Sequence, residues 1–108
     1  MTSDDSASHG KADPSAPTIV HLSGEIDTFT GKAVRRQLMK ALRHSRNGVL
    51  VVDLSQVTFC DAGGLAVLVG IQRRARTRGV TLALASPRPQ MSRLLHITGL
   101  DRGLPLLL

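Results

Sequence analysis

Val49 to Val52 is an unbroken run of aliphatic, mostly β-branched residues, and such a run suits a strand covered on both faces. It predicts a mostly parallel or mixed sheet with helices packed against it. The strand is expected over Val49–Leu54, with a short polar loop after it. Upstream, Thr18 to Leu22 reads as a short strand and Gly24-Glu25-Ile26-Asp27 as a turn. A helix should follow from Phe29 to His44, with Asp27 or Thr28 as its cap. Val34, Leu38, Ala41 and Leu42 recur there at helical spacing, while Arg35, Arg36, Lys40 and Arg43 fall away from them. Asn47-Gly48 supplies a left-handed turn residue that ends the unit.

Downstream of the loop, Asp61 is placed to cap a helix from about Ala62 to Arg76 that buries Leu65, Leu68, Val69 and Ile71 and stops at Gly79. Val80 to Ala85 forms a third buried strand. Ser86-Pro87-Arg88-Pro89 then breaks the chain and opens another helix, since proline suits a first turn. Met91, Leu94 and Leu95 make its apolar face, and Thr98-Gly99-Leu100 closes it as a glycine cap followed by a hydrophobic residue that packs back. Leu104 to Leu108 is the last strand. The alternation of strands and helices predicts an α/β layered fold, with about four strands in a mixed sheet and helices packed on it.

Residues 1–17 lack any apolar period and are rich in Ser, Asp, Ala and Pro, so they read as a flexible tail before a single domain over 18–108. With two Phe and no Trp or Tyr, the core must be built from Leu, Val, Ile and Ala. The lone Cys60 can form neither an internal disulfide nor a cysteine-rich zinc site, and the four histidines show no ligand spacing. No metal or cofactor is implied. The N-terminus is neither basic nor apolar and no apolar run reaches spanning length, so a cytoplasmic protein without membrane insertion is expected. The net charge of +6 raises nucleic acid as a partner. The cations gather on two helical segments with no interleaved aromatic residues, which argues for solvated faces and against nucleic acid. An acidic protein partner fits the same charge.

Asp53, at the end of a buried strand, is expected to accept backbone N–H bonds from Ser55 or beyond, and Asp61 to cap its helix. Cys60 reads as a small buried hydrophobe, and His96 as a residue at a helix C-terminus. Gly63-Gly64 is not followed by Lys-Ser or Lys-Thr and so is no phosphate loop. Neither a nucleophile nor a histidine accompanies the two aspartates in sequence, and no enzyme is expected.

Four segments, in order, resemble STAS domains, the family of bacterial anti-sigma-factor antagonists and of the cytosolic tails of sulfate transporters. They are Gly24-Glu25-Ile26-Asp27, Val52-Asp53-Leu54-Ser55 through Phe59-Cys60-Asp61-Ala62-Gly63-Gly64-Leu65, Arg78-Gly79-Val80, and Leu95-His96-Ile97-Thr98-Gly99-Leu100-Asp101. The resemblance implies a STAS-like fold and a switch without catalysis of its own. Such an antagonist binds a kinase-type anti-sigma factor, frees a sigma factor and thereby regulates transcription, until the kinase phosphorylates it. The acceptor is usually the second hydroxyl residue of an Asp-Ser-Ser-Gly-Leu type motif. Here the motif reads Asp61-Ala62-Gly63-Gly64-Leu65, and Gly63, at the acceptor position, cannot be phosphorylated.

The partner surface implied by the resemblance comprises Asp27, Ser55, Thr58, Asp61, Ala62, Gly63, Gly64 and Leu65, with Arg73, Arg74 and Arg76 at the rim. Thr58 and Ser55 are the nearest hydroxyls, and both precede the helix. Two expectations follow from the missing acceptor: an antagonist that stays in its binding form, or a non-phosphorylated scaffold such as the STAS accessory subunit of an ABC-type lipid transporter. Family members generally continue into a further helix after the last strand, whereas this chain stops at Leu104-Pro105-Leu106-Leu107-Leu108. That apolar strand is a candidate for partner binding or for a homodimer.

Overall fold

Strand β1 runs over Thr18–Ile26, past the end its apolar alternation predicted at Leu22. The structure, a computed structural model, describes residues 16–45, 48–104 and 106–107. Most of the 1–17 tail, Asn47 of the predicted turn, and Pro105 and Leu108 of the last strand lie outside the described residues. Helix α1 follows at Gly31–Arg43, then strand β2 at Val49–Cys60, helix α2 at Ala62–Thr77 and strand β3 at Thr81–Ala85. Helix α3 spans Pro89–Thr98 and a 3-10 turn spans Leu100–Arg102.

β2 lies between β1 and β3 and pairs with both in parallel, and Leu106–Leu107 pair in parallel beside Leu84 and Ala85. The expected mixed sheet is therefore corrected: every pairing among the described residues is parallel. The physical reason is the alternation itself, because each helix carries the chain back to the same end of the sheet before the next strand begins.

Two segments read as turn or loop are strand. Gly24 takes a left-handed φ of 77°, and the pairing of β1 with β2 shifts register between His21 and Ser23 and again between Gly24 and Glu25. These are bulges, not an ending. Beyond them Glu25 pairs with Phe59 and Ile26 with Cys60, so the expected polar loop from Ser55 onward is the second half of β2. The fully buried Ile26 and the buried Val57 hold this extension in the core.

Val20 and Leu22 of β1, Leu50, Val52 and Leu54 of β2, and Leu82 and Leu84 of β3 form one apolar layer with Leu38, Leu42, Leu65, Leu68, Ile71, Met91 and Leu95 from the helices. Val51, which alternates to the other face of β2, is also buried, as its unbroken aliphatic run required. The predicted apolar faces of α1 and α3 are confirmed, with Val34, Ala41 and Leu94 half-buried beside the fully enclosed residues. In α2 the predicted Leu65, Leu68 and Ile71 are buried, Val69 is half-buried, and Ala75 joins them. Gly79 ends α2 with a φ of 69°, and the Val80 N–H returns to the Ala75 carbonyl at 2.9 Å. Gly99 caps α3 at a φ of 77°, with Leu100 packed against the core as predicted.

Asp53 has the structural role its position suggested. Its Oδ1 accepts the Ser55 N–H at 2.9 Å, and its Oδ2 lies 2.7 Å from Nδ1 of His21, the residue paired with it across β1 and β2. The Ser55 N–H, supported by the bond to His21, holds the Asp53 carboxyl below the usual range against the opposing effect of burial. A lowered folded pKa means that the unfolded chain binds the proton more readily. The contribution is thus present above the ordinary carboxylate pKa and is lost as pH falls through the folded value. Asp53→Asn should be less stable than the parent at neutral pH, and urea denaturation should show the gap closing below about pH 5.

Candidate partner-binding site

The first turn of α2 is built on a contact between main chains. Asp61, in an extended conformation, accepts the Gly64 N–H on Oδ1 at 2.9 Å, and its carbonyl accepts the Leu65 N–H at 2.9 Å. This confirms it as the helix cap. Its own N–H donates to the Ile26 carbonyl at 3.3 Å, which ties the end of β1 to the start of α2. A Cβ on Gly64 would overlap that same carbonyl oxygen and stand 2.8 Å from Cys60 Sγ. Gly64 is a glycine because nothing larger fits.

Gly64 and Leu65, assigned to the partner surface from sequence, are both buried. They place the helix and lie beneath its exposed face. Ala62 is exposed, and Asp61 and Gly63 are half-exposed.

The chain between Ile26 and α1 forms a hydrogen-bonded loop. Asp27 Oδ1 accepts the N–H groups of Phe29 and Thr30, both at 2.9 Å. The Asp27 N–H in turn donates to Thr30 Oγ1 at 2.9 Å, and that hydroxyl donates to the Glu25 carbonyl at 2.9 Å. The Thr30 N–H foremost, with the Phe29 N–H and the Thr30 hydroxyl, keeps the Asp27 carboxyl below its ordinary range against desolvation. With these residues held in the loop, α1 starts at Gly31 and not at Phe29, and neither Asp27 nor Thr28 is its cap: Thr30 holds that position without a side-chain capping bond.

The loop meets the start of α2 at Gly63. The place a Cβ would take on Gly63 is 3.1 Å from Thr28 Oγ1 and 3.2 Å from Asp61 Oδ1. Thr28, Lys32, Arg35, Gly63 and Val67 line a groove of about 250 Å³, with Asp27 at its rim. Phe29 stands beside Thr28 with 94% of its surface exposed. Of the residues named from sequence, the structure thus brings together Asp27, Asp61, Ala62 and Gly63. Thr28, Lys32 and Arg35 in the groove and Phe29 beside it were not among the site residues named from sequence. One available signal was Phe29 itself, a large apolar residue between two threonines in a chain with two Phe.

Ser55 and Thr58 do not line this groove. Arg88 Nε donates to the Ser55 carbonyl at 2.8 Å, and Thr58 lines a separate groove of about 230 Å³ with Phe59, Arg88, Met91 and Leu94. The two grooves share no lining residue. Cys60 is buried, and desolvation first, then the nearby Asp61 carboxylate, pushes its thiol up to about 11. It is an inert core residue, as expected. Among the described residues, no cluster of His, Cys, Asp and Glu could hold a metal ion, and no helix is long and apolar enough to cross a membrane.

The family model described as "Mlab, STAS domain" matches residues 9–108. The chain belongs to the STAS domain family. This STAS domain is 33% identical over 88 residues to the anti-sigma F factor antagonist of Paenibacillus polymyxa, which covers 82% of this chain and 75% of the relative. It is 35% identical over 82 residues to the anti-sigma-B factor antagonist of Listeria monocytogenes, covering 76% and 71% of the two chains. A crystal structure of an anti-sigma factor antagonist from Mycobacterium paratuberculosis matches with a TM-score of 0.68 at 32% identity, over 84% of this chain and 76% of that one. All three are named as antagonists of an anti-sigma factor.

Two outcomes follow for this STAS domain. Gly64→Ala should lower the thermal midpoint markedly, because the Ile26 main chain cannot retreat without opening the junction of β1 and α2. A scanning calorimetry trace with an unchanged midpoint would contradict that account. Iodoacetamide at pH 8 should modify Cys60 in the folded protein far more slowly than in urea, since only the thiolate reacts. Intact mass measured over time reads the ratio.

Proposed function

We propose that this STAS domain is a cytoplasmic anti-sigma-factor antagonist that binds a kinase-type anti-sigma factor and so frees a sigma factor. The contact surface is the first turn of α2, at Asp61, Ala62 and Gly63, together with the loop Asp27–Thr30. The observation that carries this reading is Phe29. An aromatic side chain exposed to 94% next to small residues that leave α2 open to close approach is the arrangement expected of an interface anchor. Its similarity to anti-sigma factor antagonists supports the class of partner. Thr58, on the other groove, and Ser55, whose carbonyl accepts from Arg88, are left out of this surface.

A second reading, an accessory subunit of an ABC-type lipid transporter, is favoured by one observation. Ala62 and Gly63 carry no hydroxyl at the positions where a phosphorylated antagonist would hold one. A scaffold needs none.

The test is a pull-down from the lysate of the source organism, with the full chain as bait and mass spectrometry as readout. Capture of a protein with an anti-sigma-factor kinase domain supports the antagonist, and capture of permease subunits supports the scaffold. With the antagonist, Phe29→Ala and Gly63→Asp should each reduce capture by about tenfold or more, equivalent to about 1.4 kcal/mol. Gly63→Ser should gain a phosphate at position 63 from the captured kinase and ATP. Its Cβ meets Thr28 Oγ1 at 3.1 Å, which can rotate away, and Asp61 Oδ1 at 3.2 Å, which has to give by only a few tenths of an ångström beside its bond to the Gly64 N–H.

A further inference from the structure

Helices α1 and α2 contain no Asp or Glu, and their charged residues are all Lys or Arg. On α1, Arg36, Lys40 and Arg43 recur at intervals of four and three, on the side opposite the buried Leu38 and Leu42, and all three are exposed. On α2, Arg73, Arg74 and Arg76 are exposed around the last turns. The strands follow one another across the sheet in chain order, so right-handed crossovers set both helices on the same face of it and pointing the same way. The helices touch, since a Cβ on Gly31 would lie 3.4 Å from Val67 Cγ2. Their cationic C-terminal halves are therefore neighbours, away from Phe29 and Gly63. Among the described residues the ion pairs are His21–Asp53 and His96–Asp101, and neither uses a Lys or Arg.

We infer that this cationic face docks on an anionic phospholipid bilayer, which the protein meets peripherally and without insertion. The inference goes beyond the antagonist reading and does not depend on it, because it uses the C-terminal halves of the two helices and leaves Phe29 and the start of α2 out.

The face offers charge without a pocket: none of the six cations lines either groove. Ala33 and Ala66 on the exposed sides are small, and a Cβ on Gly70 would meet nothing within 4 Å. Neither helix has an aromatic residue, so a protein finds no aromatic anchor there and a nucleic-acid strand no stacking platform. Duplex DNA is read by a helix that enters a groove, whereas these two lie side by side on the sheet. A plane of anionic headgroups requires none of these features. Each long, exposed cation gains from the negative surface potential, and no fixed spacing between them is needed. The apolar sides of both helices, with Leu38, Leu42, Leu68 and Ile71, are spent in the core. Attraction is therefore electrostatic throughout, and salt weakens it.

The experiment is co-sedimentation of the untagged full chain with vesicles of phosphatidylglycerol and phosphatidylcholine in equal parts, with pure phosphatidylcholine vesicles and a DNA duplex as further probes. At low ionic strength the chain is expected to sediment with the anionic vesicles, to stay in solution with the neutral ones and to be released by added salt. Lys40→Glu combined with Arg43→Glu should weaken binding by about thirtyfold or more, since each cation near an anionic surface contributes about fivefold. Arg93→Glu combined with Arg102→Glu changes the net charge equally, but on α3 and the turn after it, and should bind within about threefold of the parent. The comparison of anionic with neutral vesicles uses the unaltered chain and so does not depend on the folding of either variant. No sedimentation with anionic vesicles, equal sedimentation with neutral ones, or equal losses in the two double variants overturns the inference. Retardation of the duplex without sedimentation of vesicles overturns it in favour of nucleic acid. The antagonist reading, tested by capture of its partner, stands or falls separately.

Discussion

The Ile26 carbonyl oxygen and the Cα of Gly64 lie so close that no side chain fits between them, and the Asp61 N–H donates to the same oxygen. One main-chain atom therefore sets the distance between the end of β1 and the first turn of α2. Buried Ile26 anchors one side of this junction and the Asp61 cap anchors the other. From it follow the position of the loop Asp27–Thr30, the side-by-side placement of Thr28 and Gly63, and the groove between α1 and α2. A wider junction would leave the helices and the sheet recognisable but would separate the residues that make up the surface.

The elements defined by short-range pattern were legible in the sequence. The spacing of Val34, Leu38, Ala41 and Leu42 reported the buried side of α1, and Gly79 and Gly99 reported where α2 and α3 end, because helix periodicity and left-handed glycine caps are local properties. The roles of Asp53 and Asp61 were also legible, since each bonds to N–H groups two or three residues ahead. What was hidden depended on pairing across the sheet. Gly24 looks like a turn residue, and only the register with Phe59 and Cys60 shows that the strand passes through it. The polar character of Ser55-Gln56 likewise suggested a loop where a bulged strand continues.

The site divided for the same reason. Ser55, Thr58 and Gly63 are near one another in sequence, yet the extended β2 carries Thr58 to the groove beside α3 and Ser55 to Arg88, and leaves Gly63 against Thr28. Two adjacent glycines also have unlike causes. Gly64 is walled in by main chain, whereas Gly63 is bordered by the side-chain oxygens of Thr28 and Asp61. A sequence shows both as the same letter, and the difference between a steric requirement and an open choice appears only with the neighbours in place.

The knot of bonds among Asp27, Phe29, Thr30 and Glu25 has a thermodynamic consequence for recognition. Ordering a loop on association costs conformational entropy for every residue immobilised. Here that ordering is already accomplished by the fold, so a molecule landing on Phe29 has only side-chain rotamers left to restrict. Preorganisation of this kind lets a small surface hold a partner firmly, and it makes that surface sensitive to any change that unties Asp27 even though the residues in contact are left untouched.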